Sequence, residues 1–407
     1  MNNGKYRVLI VGTHPVQYSA HQFRRLTNHP RIDLLVAFCS MQGANGGMDA
    51  DFGVKVAWDI PLLEGYSWIE VKNRSLRPGF DRFWGFWNPG LWKLVRKGEF
   101  DAVIIFSGYR SASSWIAGAA ARAGHAAILF GTDAHDLRPR DGRQWKFRLK
   151  KFFWPQFFRL PDVTLVPSSR GVALMNSLGL PADRVVLTNY TVDNQWWRER
   201  AAATDRVQTR KTWNIPPEAP VILFCAKLQP WKRPGDLLRA FARASLSNAF
   251  LVFAGDGALR EKLEAESQKL GIRERVRFLG FLNQSQLPSA YCACDLLVLP
   301  SEYEPFGVVV MEAMLCGCAI IASDRVGAGY DLVREGENGF RFPCGDVDAL
   351  AALLRESLAD RNALARMGEV SRRIMDSWTP ERNTEATVEA IVRAVERRGA
   401  IERVGRA

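Results

Sequence analysis

Leu296-Leu-Val-Leu-Pro-Ser-Glu-Tyr-Glu304-Pro-Phe-Gly-Val-Val-Val-Met-Glu312-Ala-Met-Leu-Cys-Gly-Cys-Ala319-Ile-Ile-Ala322 reads as one complete strand–helix–strand unit. The short apolar runs Leu296–Leu299 and Ala319–Ala322, bounded by turn residues, have the signature of buried strands. The apolar run after the Pro-Phe-Gly turn has that of a buried helix, with Glu312 two turns into it and Glu304 just before it. A buried Glu is costly unless hydrogen-bonded. The unpaired N–H groups at a helix start also make an anion site. Two hydroxyl-binding carboxylates beside a phosphate-binding helix end suit a nucleoside-diphosphate sugar. The residues alone leave a plainer reading open, in which Glu304 caps the helix and Glu312 makes a structural ion pair.

Working outward, the same alternation fills the chain. Strand candidates are Val8–Gly12, Ile32–Phe38, Ala102–Phe106, Ala126–Phe130 and Val163–Pro167, then Val221–Ala226, Phe250–Ala254, Val276–Leu279, Leu296–Leu299 and Ala319–Ala322. Strands spaced by helical patterns imply parallel sheets covered by helices, hence an α/β fold. The stretch Thr191–Pro220, rich in Trp, Arg, Thr and Pro, separates the two series and reads as an interdomain linker. No repeat or low-complexity segment interrupts the pattern.

At 407 residues the chain is too long for one compact core. Its 47% hydrophobic and 24% charged residues are those of a folded, water-soluble chain. The seven cysteines include Cys292-Ala-Cys294 and Cys316-Gly-Cys318, spaced wrongly for a zinc knuckle and far from histidine, so reduced buried thiols are expected. The start runs directly into a strand and shows no leader. The longest apolar window, Pro305–Ala322, contains Glu312 and is therefore a core element, not a membrane span. A cytoplasmic location follows as the expectation. The net charge of +12 favours an anionic partner.

The string from Glu304 to Asp324 closely resembles the donor-site signature of the GT4 family of retaining glycosyltransferases. Val326-Gly-Ala-Gly329 and Glu335-Gly-Glu-Asn-Gly-Phe340 resemble it as well. His14-Pro-Val-Gln-Tyr18, Asp51-Phe-Gly, Trp58-Asp59, Leu63-Glu-Gly-Tyr66 and Tyr190-Thr-Val-Asp193-Asn194 are similar to a bacterial subgroup of that family. The resemblance implies a GT-B fold: two doubly wound Rossmann-like domains facing a central cleft. It implies residues 1–195 as the acceptor-side domain, joined by a C-terminal helix over 380–398, and residues 196–379 as the donor-binding domain.

The resemblance also assigns roles. Glu304 would bind donor-sugar hydroxyls and Glu312 the ribose diol. Lys227 and Lys232 in Phe224-Cys-Ala-Lys-Leu-Gln-Pro-Trp-Lys-Arg-Pro-Gly, with the backbone N–H groups of Phe306, Gly307 and Val308, would hold the diphosphate. Lys227 departs from the more usual Arg, and lysine is a point charge where arginine is a bidentate fork. Gly280, in Val276-Arg-Phe-Leu-Gly280-Phe, would frame the base. The loop Gly255-Asp-Gly257 resembles the strand-to-helix glycine turn of the family. Gly12, with His14 beyond it, follows the first strand, where such domains bind ligands. His135, in Gly131-Thr-Asp-Ala-His-Asp136, would contact the donor sugar near the reacting carbon. Asp133 and Asp136 are its rivals for that contact, and helix capping is an alternative role for His135. No Asp-x-Asp pair is placed as a metal clamp, so no metal and no cofactor beyond the donor are expected.

The implied reaction is transfer of a sugar, with retention, to a hydroxyl acceptor on a lipid-linked or polysaccharide glycan. Two other classes fit the residues less well: a sugar-nucleotide epimerase of the same fold, and a non-catalytic polyanion-binding scaffold. Within 143–160, Arg143, Lys146, Arg148, Lys150, Lys151 and Arg159 interleave with Trp145, Phe147, Phe152, Phe153, Trp154, Phe157 and Phe158. One helix so built suits an anionic membrane surface on the cytoplasmic face, or else a core helix with a solvated basic edge. Concentration in a single helix argues against nucleic acid as the partner.

Overall fold

The computed structural model describes residues 4–44, 46–49, 54–138 and 143–406; the Asp51-Phe-Gly motif lies outside the described residues. The chain divides into two compact units, Met1–Gly46 with Pro61–Tyr190 and Pro380–Ala407, and Gly47–Ile60 with Thr191–Thr379. The strands are β1 (Tyr6–Gly12), β2 (Ile32–Phe38), β3 (Gly47–Asp49), β4 (Val54–Val56), β5 (Trp68–Glu70), β6 (Ala102–Ile105), β7 (Ala127–Gly131), β8 (Val163–Val166) and β9 (Val185–Leu187). Then come β10 (Val221–Cys225), β11 (Phe250–Ala254), β12 (Val276–Gly280), β13 (Leu296–Leu299), β14 (Ala319–Ser323) and β15 (Gly339–Phe342).

The first unit holds a parallel seven-stranded sheet ordered β5-β2-β1-β6-β7-β8-β9. Its central strands are largely apolar because both faces are covered. Leu9, Val11, Val103 and Ile105 pack on one side with Ala117, Ala120 and Phe157. The alternating set Val8, Ile10, Ala102 and Ile104 packs on the other side with Phe23 and with Val388, Ile391 and Ala394. Those last three belong to the helix Pro380–Arg406, which thereby completes a face of the first unit.

The second unit holds a parallel six-stranded sheet ordered β12-β11-β10-β13-β14-β15. Each sheet is doubly wound: the chain starts centrally, runs to one edge, then returns and runs to the other. The direction reverses between β1 and β6 in the first sheet and between β10 and β13 in the second. In such sheets ligands bind outside the strand C-termini at the reversal point. The loops after β10 and β13 carry Lys227, Lys232 and Glu304; the loop after β1 carries His14.

The stretch Thr191–Pro220 is not a linker. It contains the helices Asn194–Ala202 and Arg206–Thr212, capped by Asp193 and Asp205, and it belongs to the second unit. Trp197 is buried against Tyr291, with ring centroids 5.7 Å apart. Arg210 is fully buried and donates to the carbonyls of Ala293 (2.8 Å) and Ala219 (2.9 Å) and to Asp295 (2.8 Å). Composition suggested a solvated connector; full satisfaction of the guanidinium lets it sit inside instead.

Candidate functional site

In the second unit the two loops at the reversal point meet. Beyond β10 the turn Pro230–Lys232 ends at Arg233, whose φ of +52° turns the chain into the helix Pro234–Ala244. This delivers Lys232, whose Nζ donates to Glu304 Oε2; the two side chains are 17% and 15% exposed. The sequence placed both residues on the donor, and the structure brings them together as an ion pair. Lys227 sits half-buried two residues after β10.

Beyond β13, Gly307 adopts φ +98°, a left-handed conformation that starts the helix Val308–Leu315. A Cβ there would also press on Glu304 Cγ, Leu299 and Val326, each at 3.2 Å. With the helix starting only at Val308, Glu312 is the fifth helical residue, one turn in and not two. Phe306, expected to lend its N–H to phosphate, has a buried side chain stacked on Trp378 at 6.2 Å. The loop is braced from behind, where Gly327 N donates to Glu304 O (3.0 Å) and Ala328 N to Phe306 O (2.7 Å). A Cβ on Gly327 would lie 2.0 Å from Pro305 O, a backbone atom that cannot yield cheaply. Gly327→Ala is therefore expected to destabilise the protein by about 1–3 kcal/mol and to loosen the Glu304 loop. A melting point within error of wild type would contradict this.

Glu312 is buried, and Tyr291 Oη donates to its Oε2 at 2.7 Å. Gln284 also hydrogen-bonds the carboxylate. Burial pushes the carboxyl up to about 7, with Tyr291 and Gln284 pulling the other way. Cys225 Sγ lies 3.3 Å from Tyr291 Oη. The phenol's one proton goes to Glu312, so the thiol is the donor in that contact. Neither Tyr291 nor Gln284 appeared among the site residues read from sequence. They lie 21 and 28 positions before Glu312; the packing of the helix Leu287–Cys292 brings Tyr291 to it, and the turn before that helix carries Gln284.

Gly280 ends β12 with φ +74°, and its carbonyl accepts from Gly255 N at 2.8 Å. Gly255 in turn passes so close to Ala226 that a Cβ would lie 2.0 Å from the Ala226 carbonyl oxygen. The glycine loop after β11 thus packs onto the base of the lysine loop, and the end of β12 is hydrogen-bonded to that glycine loop. Close approach to Ala226 explains Gly255 and the positive φ explains Gly280, whatever the ligand.

In the first unit, Gly12 closes β1, and a Cβ there would meet only ordinary contacts with Phe38 at 3.5 Å. Nothing steric demands glycine at that position. His14 Nδ1 is 3.0 Å from Thr13 Oγ1, and its ring meets Phe80 edge-on. His135 is buried, with Nδ1 3.3 Å from Asp133 O and Nε2 3.9 Å from Asp136 Oδ2. Burial lowers its pKa, so the ring is neutral near pH 7, although Asp136 opposes the shift. Asp133 lies beside it and accepts from Tyr190 Oη at 2.8 Å; burial raises its carboxyl. The next helix begins only at Gln144, so His135 does not cap it.

The basic, aromatic segment forms the helix Gln144–Phe157. Trp154, Phe157 and Phe158 are in the core, while Trp145, Leu149 and Phe152 are exposed at helical spacing, Phe152 by 78%. No helix among the described residues is long and apolar enough to cross a membrane. Among them, no group of three or more His, Cys, Asp or Glu side chains is placed to hold a metal ion.

Comparison with known proteins covers both halves of the chain. Residues 205–374 match the family model for glycosyl transferases group 1, and residues 65–191 match that for a glycosyl transferase 4-like domain. The sulfoquinovosyl transferase of Arabidopsis thaliana is 33% identical over 218 residues, which are 53% of this chain and 41% of that one. The D-inositol 3-phosphate glycosyltransferase of Mycobacterium ulcerans is 34% identical over 200 residues, 47% of this chain and 42% of its own. The chain thus spans about half the length or less of these relatives. Among solved structures, Anabaena HepE in complex with UDP and glucose superposes with a TM-score of 0.71 at 19% identity, covering 95% of this chain and 99% of its own. Sucrose-phosphate synthase from Thermosynechococcus elongatus gives 0.68 at 19% identity, covering 95% and 98%. At such identities the likeness is one of fold, which is GT-B.

Proposed function

Because the chain belongs to the group 1 glycosyltransferase family, we propose that it transfers a sugar from a nucleoside-diphosphate sugar to a hydroxyl acceptor, with retention of configuration. The observation that carries this is the Lys232–Glu304 pair at the reversal point of the second sheet, beside the helix start at Val308 and the buried Glu312. Lys227, Lys232 and the N–H groups of that helix start would meet the charge that builds on the leaving diphosphate. Glu304 would hold donor-sugar hydroxyls, Glu312 the ribose diol, and Gly280 would border the base. The family resemblance assigns His135, neutral near pH 7, to the donor sugar as well. The leaving phosphate would take the acceptor proton on the same face.

Anabaena HepE was solved with UDP-glucose, which makes uridine nucleotides the first donors to try. A glycan intermediate, lipid-linked or polysaccharide, is the proposed acceptor class. A thermal-shift screen of nucleoside diphosphates and nucleotide sugars tests the donor. Ligand at a hundred times its dissociation constant adds about 2.7 kcal/mol of stability. No shift with any of them would sink the proposal. Donor consumed without acceptor would point to an epimerase. Activity is expected to survive EDTA, since lysines and a helix end are proposed to neutralise the phosphates; loss on chelation, restored by magnesium or manganese, would refute that.

We also propose that the helix Gln144–Phe157 rests on anionic lipid. Trp145, Leu149 and Phe152 form an exposed apolar stripe, with Arg148 and Lys151 exposed beside it. A basic side chain near such a surface contributes about 1 kcal/mol. Replacing Arg148 and Lys151 by Gln should reduce co-sedimentation with phosphatidylserine vesicles, and added salt should do the same. Equal binding by variant and wild type, or none by either, would refute this.

A further inference from the structure

We propose that Asp59 is a positioning residue of the donor site, holding the loop after β12 so that Gln284 stays on the Glu312 carboxylate. The name "donor site" rests on the function proposed above; the positioning itself rests on geometry. The chain leaves the first unit after Gly46, counts with the second unit through Ile60, and rejoins the first at Pro61. Near the end of that excursion Trp58 meets Phe281 edge-on, centroids 6.3 Å apart. The Asp59 carboxylate accepts from Ser285 N at 3.2 and 3.3 Å and also from the Ser285 hydroxyl. Asp59 N donates to Asn283 Oδ1 at 3.3 Å, and Asn283 Nδ2 donates to Ala57 O at 2.7 Å. Asn283 Oδ1 accepts from Gln284 N as well, at 2.9 Å.

Both neighbours of Gln284 are therefore gripped by residues 57–59, and Gln284 itself is buried with its amide on Glu312. A side chain held within about half an ångström of a working geometry needs its own supports locked. Here the support comes from a segment more than 200 residues earlier in the chain. Gly280 lies on the strand that feeds this loop, so the same clamp fixes the expected base-side wall. Sequence likeness picks out Trp58-Asp59 without a role, and this contact supplies one.

The influences on Glu312 are burial, Tyr291 and Gln284, with no charged side chain among them. The nearby thiols stay protonated, Cys225 chiefly through burial and Cys316 chiefly through its hydrogen bond with Cys292 and then burial. Trp197, packed on Tyr291, carries no charge, and Arg372 binds Cys316 O at the far end of the helix. Loss of the Gln284 hydrogen bond should thus read out cleanly in the Glu312 titration.

The experiment follows the Glu312 carboxyl by carbon NMR in the ligand-free full chain, with Glu312→Gln identifying its resonance. Gln284→Ala should raise the titration midpoint by about half a pH unit or more. Asp59→Ala, at an exposed position that spares the core, should raise it equally, and the double variant should go no further. A wild-type midpoint in Asp59→Ala, an additive rise in the double variant, or no rise in Gln284→Ala would overturn the proposal. UDP-glucose affinity near pH 7, measured on the same proteins, should fall about 3- to 10-fold in Asp59→Ala. A shifted midpoint with no nucleotide binding by any protein would uphold the positioning and refute the donor reading instead.

Discussion

Lys232→Ala should lower affinity for a free nucleoside diphosphate about tenfold or more, whereas Glu304→Gln should leave it unchanged or raise it. The two residues are ion-paired in the structure, so removing either breaks the same contact. Their proposed ligands differ: Lys232 serves the phosphates and Glu304 the sugar hydroxyls. A diphosphate without sugar needs only the lysine, and neutralising Glu304 releases that lysine from its partner. With the complete nucleotide sugar the two variants should converge. Each should lose about 10²–10³ in kcat/KM, the usual cost of removing one preorganised contact to a developing charge or a reacting sugar. Calorimetry with the diphosphate, beside steady-state kinetics with the sugar nucleotide, separates the roles. If both variants lose diphosphate affinity equally, the pair acts only as a structural clamp on the two loops.

What could be read from the sequence followed what local pattern encodes. Leu296–Leu299 is buried on both faces of the sheet, so its apolar run and its boundaries were visible. The strands missed were Gly47–Asp49 and Val54–Val56, which pair only with each other, and Trp68–Glu70, Val185–Leu187 and Gly339–Phe342, which lie at sheet edges. Trp68–Glu70 is exposed along its whole length, and no hydrophobic signal marks such a strand. The Pro-Phe-Gly turn revealed the helix that carries Glu312. It did not show that Gly307 would turn left-handed and start that helix at Val308, which set the carboxylate one turn closer to the loop. Arg210 shows the opposite failure: in a stretch rich in charge it reads as solvent-facing, yet three elements converge to satisfy it. The partners of Glu312 were invisible for a related reason. Tyr291 reaches it through the packing of one helix on another and Gln284 from the loop before that helix, and no spacing rule connects positions 284, 291 and 312. Lys232 and Glu304 could be named because motif resemblance places each by its own strand end, although 72 positions separate them.

Glu312→Gln should make the protein more stable above neutral pH while weakening its hold on a nucleotide sugar. The carboxyl titrates at about 7 in the folded chain, against an ordinary value of 4.5, because burial penalises the anion. Between those values the folded state keeps a proton that the unfolded state has released. Stability attributable to this group is therefore whole below about 4.5, declines as pH rises toward 7, and is flat beyond. The total loss is roughly 3 kcal/mol, since each tenfold change in proton affinity between the two states is worth about 1.4 kcal/mol. A neutral amide of the same shape escapes that loss, so the variant should melt higher at about pH 8 and lose the decline between about pH 5 and 7. Binding runs in the opposite sense. A ribose diol donates two hydrogen bonds that a carboxylate accepts and a protonated acid accepts poorly. Nucleotide-sugar affinity should thus fall as pH drops below about 7, approaching about tenfold per pH unit, with one proton released on binding at acid pH. A nucleotide sugar is the right probe because its diphosphate is esterified at both ends and does not titrate in this range. In Glu312→Gln the affinity should be lower at about pH 8 and level across the range. A pH-independent wild type, or a variant that is destabilised at that pH and still binds normally, would mean that Glu312 is an internal strut held by Tyr291, with the ribose bound elsewhere.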